Sequence, residues 1–144
     1  MCFNYFYKRR YGISKPKQVV DADYSILRSK LQSEFPKAHL LLSDWEYKLA
    51  PFTEYERLIR WSLTDKNKYI KESYDCDDFS FSLMGDFHQI PEWGSLAFGI
   101  FWLLTPAHAV NMFVDDEYKV WVVEPQTDNI FKFPKDWVED LVMM

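Results

Sequence analysis

The chain has 144 residues, 48% of them hydrophobic and 19% aromatic, with a formal net charge of −5. That is enough apolar material for one core, and it excludes a disordered or repetitive polymer. Lys and Arg are scattered apart from Lys8-Arg9-Arg10, so no basic stripe exists to hold a phosphate backbone.

The first residues lack the apolar run of a signal peptide, and the longest apolar stretch, 96–104, contains Gly99 and is too short to span a bilayer. The expectation is a single domain over residues 1–144, soluble and cytoplasmic, with neither nucleic acid nor membrane as a partner.

The stretch 23–35 places Ile26, Leu27, Leu31 and Phe35 on one helical stripe, and Pro36 stops it. Leu40-Leu41-Leu42 with Trp45 forms a short apolar patch compatible with a strand or a buried loop. A second helix is expected from Thr53, where Thr53 and Glu56 make a T-x-x-E capping box, through Leu58, Ile59, Trp61 and Leu63. Asp75 suits an N-cap, and Phe79, Leu83 and Phe87 recur at four-residue spacing before Pro91 and Gly94 loosen the chain. Cys76 is thereby placed in the first turn of a helix.

Residues 97–104 read as a buried apolar element, broken by Pro106 before the strand-forming run 108–114. Asp115-Asp116-Glu117 supplies a turn, and 118–124 returns as a second strand that Pro125 ends. Pairing Val114 with Tyr118 across that turn sets His108 opposite Glu124, on one face of the hairpin.

The two cysteines, Cys2 and Cys76, make no disulfide framework, and no Cys/His cluster suggests structural zinc. Cys2 reads as incidental. A thiol nucleophile needs a base to share its proton, and the base needs a third group to fix its tautomer. Cys76, His108 and Glu124 offer all three, and a helix N-terminus favours a thiolate and can receive an oxyanion. Singly, each has a bland reading: a buried Cys is usually a small hydrophobe, a strand-end His a satisfied polar group, and Glu before Pro a strand terminus. Their joint spacing favours the catalytic one. His39 and His88 carry no such signal.

Asp75, Asp77 and Asp78 place three carboxylates within one turn of the thiol, a field that opposes its ionisation. A hard cation such as calcium would cancel that field, with oxygen ligands from Asp75, Asp77 or Asp78. The alternative is that these acids only complement the helix dipole.

Taken together, Tyr74-Asp75-Cys76-Asp77-Asp78-Phe79, His108-Ala109-Val110-Asn111 and Glu124-Pro125-Gln126 resemble the papain-like protease domain of the Marasmius oreades agglutinin C-terminal family. The resemblance implies an α+β papain-like fold, with the nucleophile helix packed on an antiparallel sheet; the two earlier helices are expected to cover one side of it. It also implies calcium-dependent hydrolysis of peptide bonds by a Cys-His-Glu triad at Cys76, His108 and Glu124, and makes Asp77 and Gln126 the leading metal ligands. The pattern around Cys76 is similar to bacterial transglutaminase-like cysteine proteinases as well, which supports Asp75 and Asp77 as calcium ligands. The resemblance covers roughly 70–130 and brings no sugar-binding module. Papain's oxyanion-hole Gln has no counterpart, since the nearest upstream is Gln32, so the Cys76 backbone N–H is the expected donor.

Two other readings compete. A cell-wall peptide amidase of the NlpC/P60 or CHAP type uses the same Cys and His logic but favours a Ser-Gly pair after the Cys, where this chain has Asp77-Asp78. A partner-binding pseudoenzyme would use exposed aromatic residues as anchors. The expected partner is a protein or peptide substrate, and homodimerisation is left open.

Overall fold

The computed structural model describes residues 12–144; Cys2 and Lys8-Arg9-Arg10 lie outside the described residues. The chain runs β1 (Val20–Asp23), α1 (Tyr24–Glu34), β2 (His39–Leu41), β3 (Glu46–Leu49), α2 (Phe52–Trp61) and a 3-10 turn (Thr64–Lys66). It continues through α3 (Cys76–His88), α4 (Pro91–Gly94), β4 (Phe98–Thr105), β5 (His108–Val114), β6 (Val120–Glu124), β7 (Asn129–Phe131) and β8 (Val138–Met143).

Strands β1 and β3 make a separate antiparallel ribbon, while a six-stranded sheet has the order β2-β8-β4-β5-β6-β7. The sheet is mixed rather than purely antiparallel, because β2 joins the edge parallel to β8, with His39 opposite Leu141. The apolar patch at 40–42 thus contributes a short edge strand. No helix among the described residues is long and apolar enough to cross a membrane.

Asp23 caps α1 by accepting the Ser25 N–H at 2.7 Å, as a side chain competing for an orphan backbone donor should. Leu27, Leu31 and Phe35 are buried, but Ile26 is 54% exposed, so the apolar stripe is narrower than the sequence suggests. The capping box expected at Thr53 does not form. Pro51 takes the N-cap position at φ −55° without a side-chain hydrogen bond, its ring presetting the entry to the helix. Glu54 instead pairs with Arg57 at 2.6 Å and Glu56 with Arg60 at 2.9 Å, within-helix pairs at the favoured spacings. The helix closes at Trp61, short of Leu63.

The two earlier helices do not share one side. Leu27 and Leu31 of α1 pack with Val110, Met112 and Val114 of β5, whereas Tyr55, Leu58 and Ile59 of α2 join Leu83 and Phe87 of α3 against Phe98 and Phe113. The strand alternation that puts 110, 112 and 114 on one face and 113 on the other lets one sheet be covered on both faces. Phe87 stacks on Phe98 at 3.7 Å between centroids, and Tyr55 on Phe113 at 4.1 Å, which anchors α3 to β4 and α2 to β5.

The β5–β6 register differs from the expected one by two residues: Val114 faces Val120, and Asn111 faces Val123. Asp115 is the cause. Its Oδ1 accepts the N–H groups of Glu117 and Lys119 at 3.0 and 2.9 Å, and its Oδ2 accepts the Trp121 indole N–H at 2.7 Å. That carboxylate organises a loop from Asp115 to Lys119 in place of a three-residue turn, with Tyr118 at φ 58°. A slip of one residue would have reversed every side chain, but a slip of two preserves the face. His108 and Glu124 therefore stay on one side of the hairpin as diagonal rather than direct neighbours.

Candidate active site

Helix α3 begins at Cys76, with Asp75 as its N-cap. The Asp75 N–H donates to Asp78 Oδ2 at 3.1 Å, and Asp75 Oδ2 accepts the Glu72 N–H at 3.1 Å, so the chain entering the helix is held by its own acids. The N–H groups of the first turn have no partner four residues earlier and point out of the helix start with its positive dipole end. Behind the thiol, Ser80 Oγ donates to the Cys76 carbonyl at 2.9 Å. Asn111, fully buried on β5, donates from Nδ2 to the Ser80 carbonyl at 2.9 Å and to the Gly99 carbonyl at 3.1 Å. These contacts tie the first turns of α3 to β4 and β5.

His108 Nε2 lies 2.7 Å from Glu124 Oε2, with both side chains about four-fifths buried, at 20% and 21% exposure. That bond leaves Nδ1 as the ring nitrogen available to a thiol. Cys76 is a free, half-buried cysteine. Cys76 and His108 line one open cleft of about 300 Å³, together with Asp77, Trp102, Ala109 and Asp140. No hydrogen bond links Cys76 Sγ to His108 among the described residues, so the structure joins His108 to Glu124 and leaves the thiol beside them, without an assembled triad.

One ligand atom from each of Asp75, Cys76 and Asp77 falls within a set 4.8 Å across. A hydrogen bond to Asp75, reinforced by burial, holds the Asp77 carboxyl above the usual carboxylate range. Asp78 stands outside this set, and one of its carboxylate oxygens is committed to the Asp75 N–H. The Gln126 backbone N–H donates to Glu124 Oε1 at 3.2 Å, which keeps Gln126 beside the acid that holds His108. Gln32 plays no part here: it sits exposed on α1, with its amide donating to the Pro36 carbonyl at 3.2 Å.

Three residues of the site were not marked as functional by the sequence. Asn111 lay inside a quoted motif without a role; a polar residue in an otherwise apolar strand was its signal. Trp102 was counted only as part of an apolar run. Asp140 comes from the C-terminal strand, and only tertiary pairing brings it to the cleft.

No protein-family model matches the sequence, and no curated protein matches it. Solved structures do. A structure described as a PSL1a–E64 complex superposes with a TM-score of 0.73 at 20% identity, over 86% of this chain and 51% of that one. The crystal structure of Polyporus squamosus lectin bound to a human-type influenza-binding epitope superposes with a TM-score of 0.71 at 18% identity, over 86% of this chain and 49% of that one. The fold is therefore papain-like, of the α+β type, and the chain spans about half the length of the structures it matches.

Proposed function

We propose that this chain is a cysteine peptidase in which Cys76 is the nucleophile, His108 the base and then the acid, and Glu124 the group that orients the imidazole. The observation that carries this reading is the His108–Glu124 bond at 2.7 Å, set in the same cleft as a free thiol at a helix N-terminus. One of the matched structures is a complex with E64, a cysteine-protease inhibitor, which makes the same chemistry the first to test here.

The thiol proton passes to His108 Nδ1 as Sγ adds to the peptide carbonyl carbon, and the carbonyl electron pair moves onto oxygen. The Cys76 backbone N–H at the helix start is placed to receive that oxyanion. As the oxyanion collapses, the C–N bond breaks and His108 gives its proton to the leaving amine. Water then attacks the thioester with His108 accepting its proton, the carboxylic acid leaves, and the Cys76 thiol is restored. Throughout, the Glu124 carboxylate holds Nε2–H and stabilises the imidazolium.

Calcium belongs to this proposal as a charge partner for the acids beside the thiol. Two carboxylates forced together, with the Asp77 carboxyl held above the usual range by its hydrogen bond to Asp75, suit a hard cation, and Asp75 and Asp77 would hold it with Gln126 adding an amide oxygen. A bound ion would offset the negative potential that opposes a Cys76 thiolate.

Hydrolysis of a fluorogenic peptide library tests the enzymatic reading: Cys76→Ala and His108→Ala should each abolish turnover, and Glu124→Gln should leave a small residue of it. Full activity in Cys76→Ala would end the proposal. The amidase alternative is separated by digestion of muropeptides, which this reading expects to remain intact. Titration calorimetry with calcium chloride tests the ion independently of activity. Asp77→Asn should weaken binding at least about tenfold, and wild-type binding should weaken as the pH falls, because protons compete with the ion for the Asp75 and Asp77 carboxylates. No heat of binding in the wild type would remove calcium from the account.

A further inference from the structure

Strand β8 does not run past β4 in regular register. Trp102 faces Leu141, but the next residue, Leu103, faces Glu139, so Asp140 is an extra residue on β8 with no partner across the ladder. Such a bulge re-aims a side chain and is frequent beside active sites. Here it leaves Asp140 lining the cleft that contains Cys76 and His108.

We propose that Asp140 is a specificity-determining residue that selects peptides carrying Lys or Arg beside the bond to be cut; the inference rests on the peptidase reading of the same cleft. Among the described residues, Asp140 makes no hydrogen bond or ion pair, and no Lys or Arg lines the cleft with it. Half-buried, Asp140 thus meets the cleft without a cation from the described residues. Trp102, Ala107 and Ala109 supply apolar wall beside it, and Trp102 is braced edge-on by Phe81 at 5.8 Å between centroids. An acid next to an aromatic wall matches an amphipathic cation, whose methylene stem packs on the ring while its head pairs with the carboxylate. A neutral apolar side chain would satisfy the wall and leave the acid desolvated without a partner; an acidic one would be repelled by both Asp77 and Asp140.

The test uses peptidyl acyloxymethyl ketones that label Cys76, made in matched sets that differ only by Lys, norleucine or Glu at one position. Labelling rates are read by intact mass at fixed calcium concentration. Wild type is expected to favour Lys over norleucine about tenfold at one position, shrinking as salt is raised. In Asp140→Asn the ratio should fall towards one, and in Asp140→Lys the Glu probe should become the fastest. Asp140→Ser is run beside Asp140→Asn, so that a folding failure in one leaves the ratio measurable in the other. Equal rates for Lys and norleucine in the wild type, or a Lys preference that persists without the Asp140 carboxylate, would overturn this assignment while leaving the peptidase reading intact. Failure of every probe to label Cys76 would overturn both.

Discussion

Asn111 is fully buried, and its Nδ2 donates to the carbonyls of Ser80 and Gly99 at 2.9 and 3.1 Å, while its Oδ1 is buried without a partner. Replacing it with leucine keeps the volume and removes both bonds. Each lost bond to a buried carbonyl costs about 1.5–2 kcal/mol, and removing the orphan oxygen returns about 1 kcal/mol, for a net loss of about 2–3 kcal/mol. For a chain of this size that lowers Tm by about 6–10 °C. Urea unfolding gives the free energy, and the rate of Cys76 alkylation reports whether α3 has shifted, since Ser80 in turn donates to the Cys76 carbonyl. Asn111→Asp should be worse at neutral pH, because a carboxylate would face two carbonyl oxygens, and it should recover as the pH falls and the acid is protonated. An Asn111→Leu protein within about 0.5 kcal/mol of wild type, with unchanged alkylation, would refute the view that this residue moors the helix that carries Cys76.

Burial, with the neighbouring charge of Asp65, pushes the Asp128 carboxyl up to about 6. A raised folded value means that the stabilising contribution is complete below the ordinary 3.8 and is lost as the pH rises through about 6. Asp128→Asn should therefore raise Tm at pH 8 by about 2–4 °C, equivalent to about 1 kcal/mol after allowing for solvent screening, and gain little at about pH 3.5, below the ordinary carboxylate value. Asn also tolerates the left-handed backbone there, at φ 59°. A wild-type-like melt at both pH values would contradict this. At Gly99 an added Cβ would lie 2.1 Å from the Met143 carbonyl oxygen and 2.7 Å from Met144 Cβ, so Gly99→Ala should lower Tm by about 5–10 °C, measured by scanning calorimetry.

The local signals in the sequence carried the site further than the architecture. The Asp75 cap, the start of α3 at Cys76 and the shared face of His108 and Glu124 all follow from short-range rules, because capping and strand alternation are decided within a few residues. The hairpin register was misjudged because a single carboxylate, Asp115, collects three donors, and no pattern of apolar residues announces that. The Thr53 capping box failed for a related reason: Pro51 fixes the helix entry first, and Glu56 finds Arg60. What stayed hidden was long-range. The parallel pairing of β2 with β8, the burial of α1 and α2 on opposite faces, and the bulge that brings Asp140 to Cys76 depend on contacts between distant segments.

The central claim is that Cys76, assisted by His108, carries out peptide hydrolysis. Titration with E64, followed by intact mass and by residual hydrolysis of a fluorogenic peptide, tests it most directly. The account predicts one adduct per chain, mapped to Cys76, activity lost in proportion to labelling, and labelling strongly slowed in His108→Ala. Hydrolysis that survives complete modification of Cys76 would contradict it.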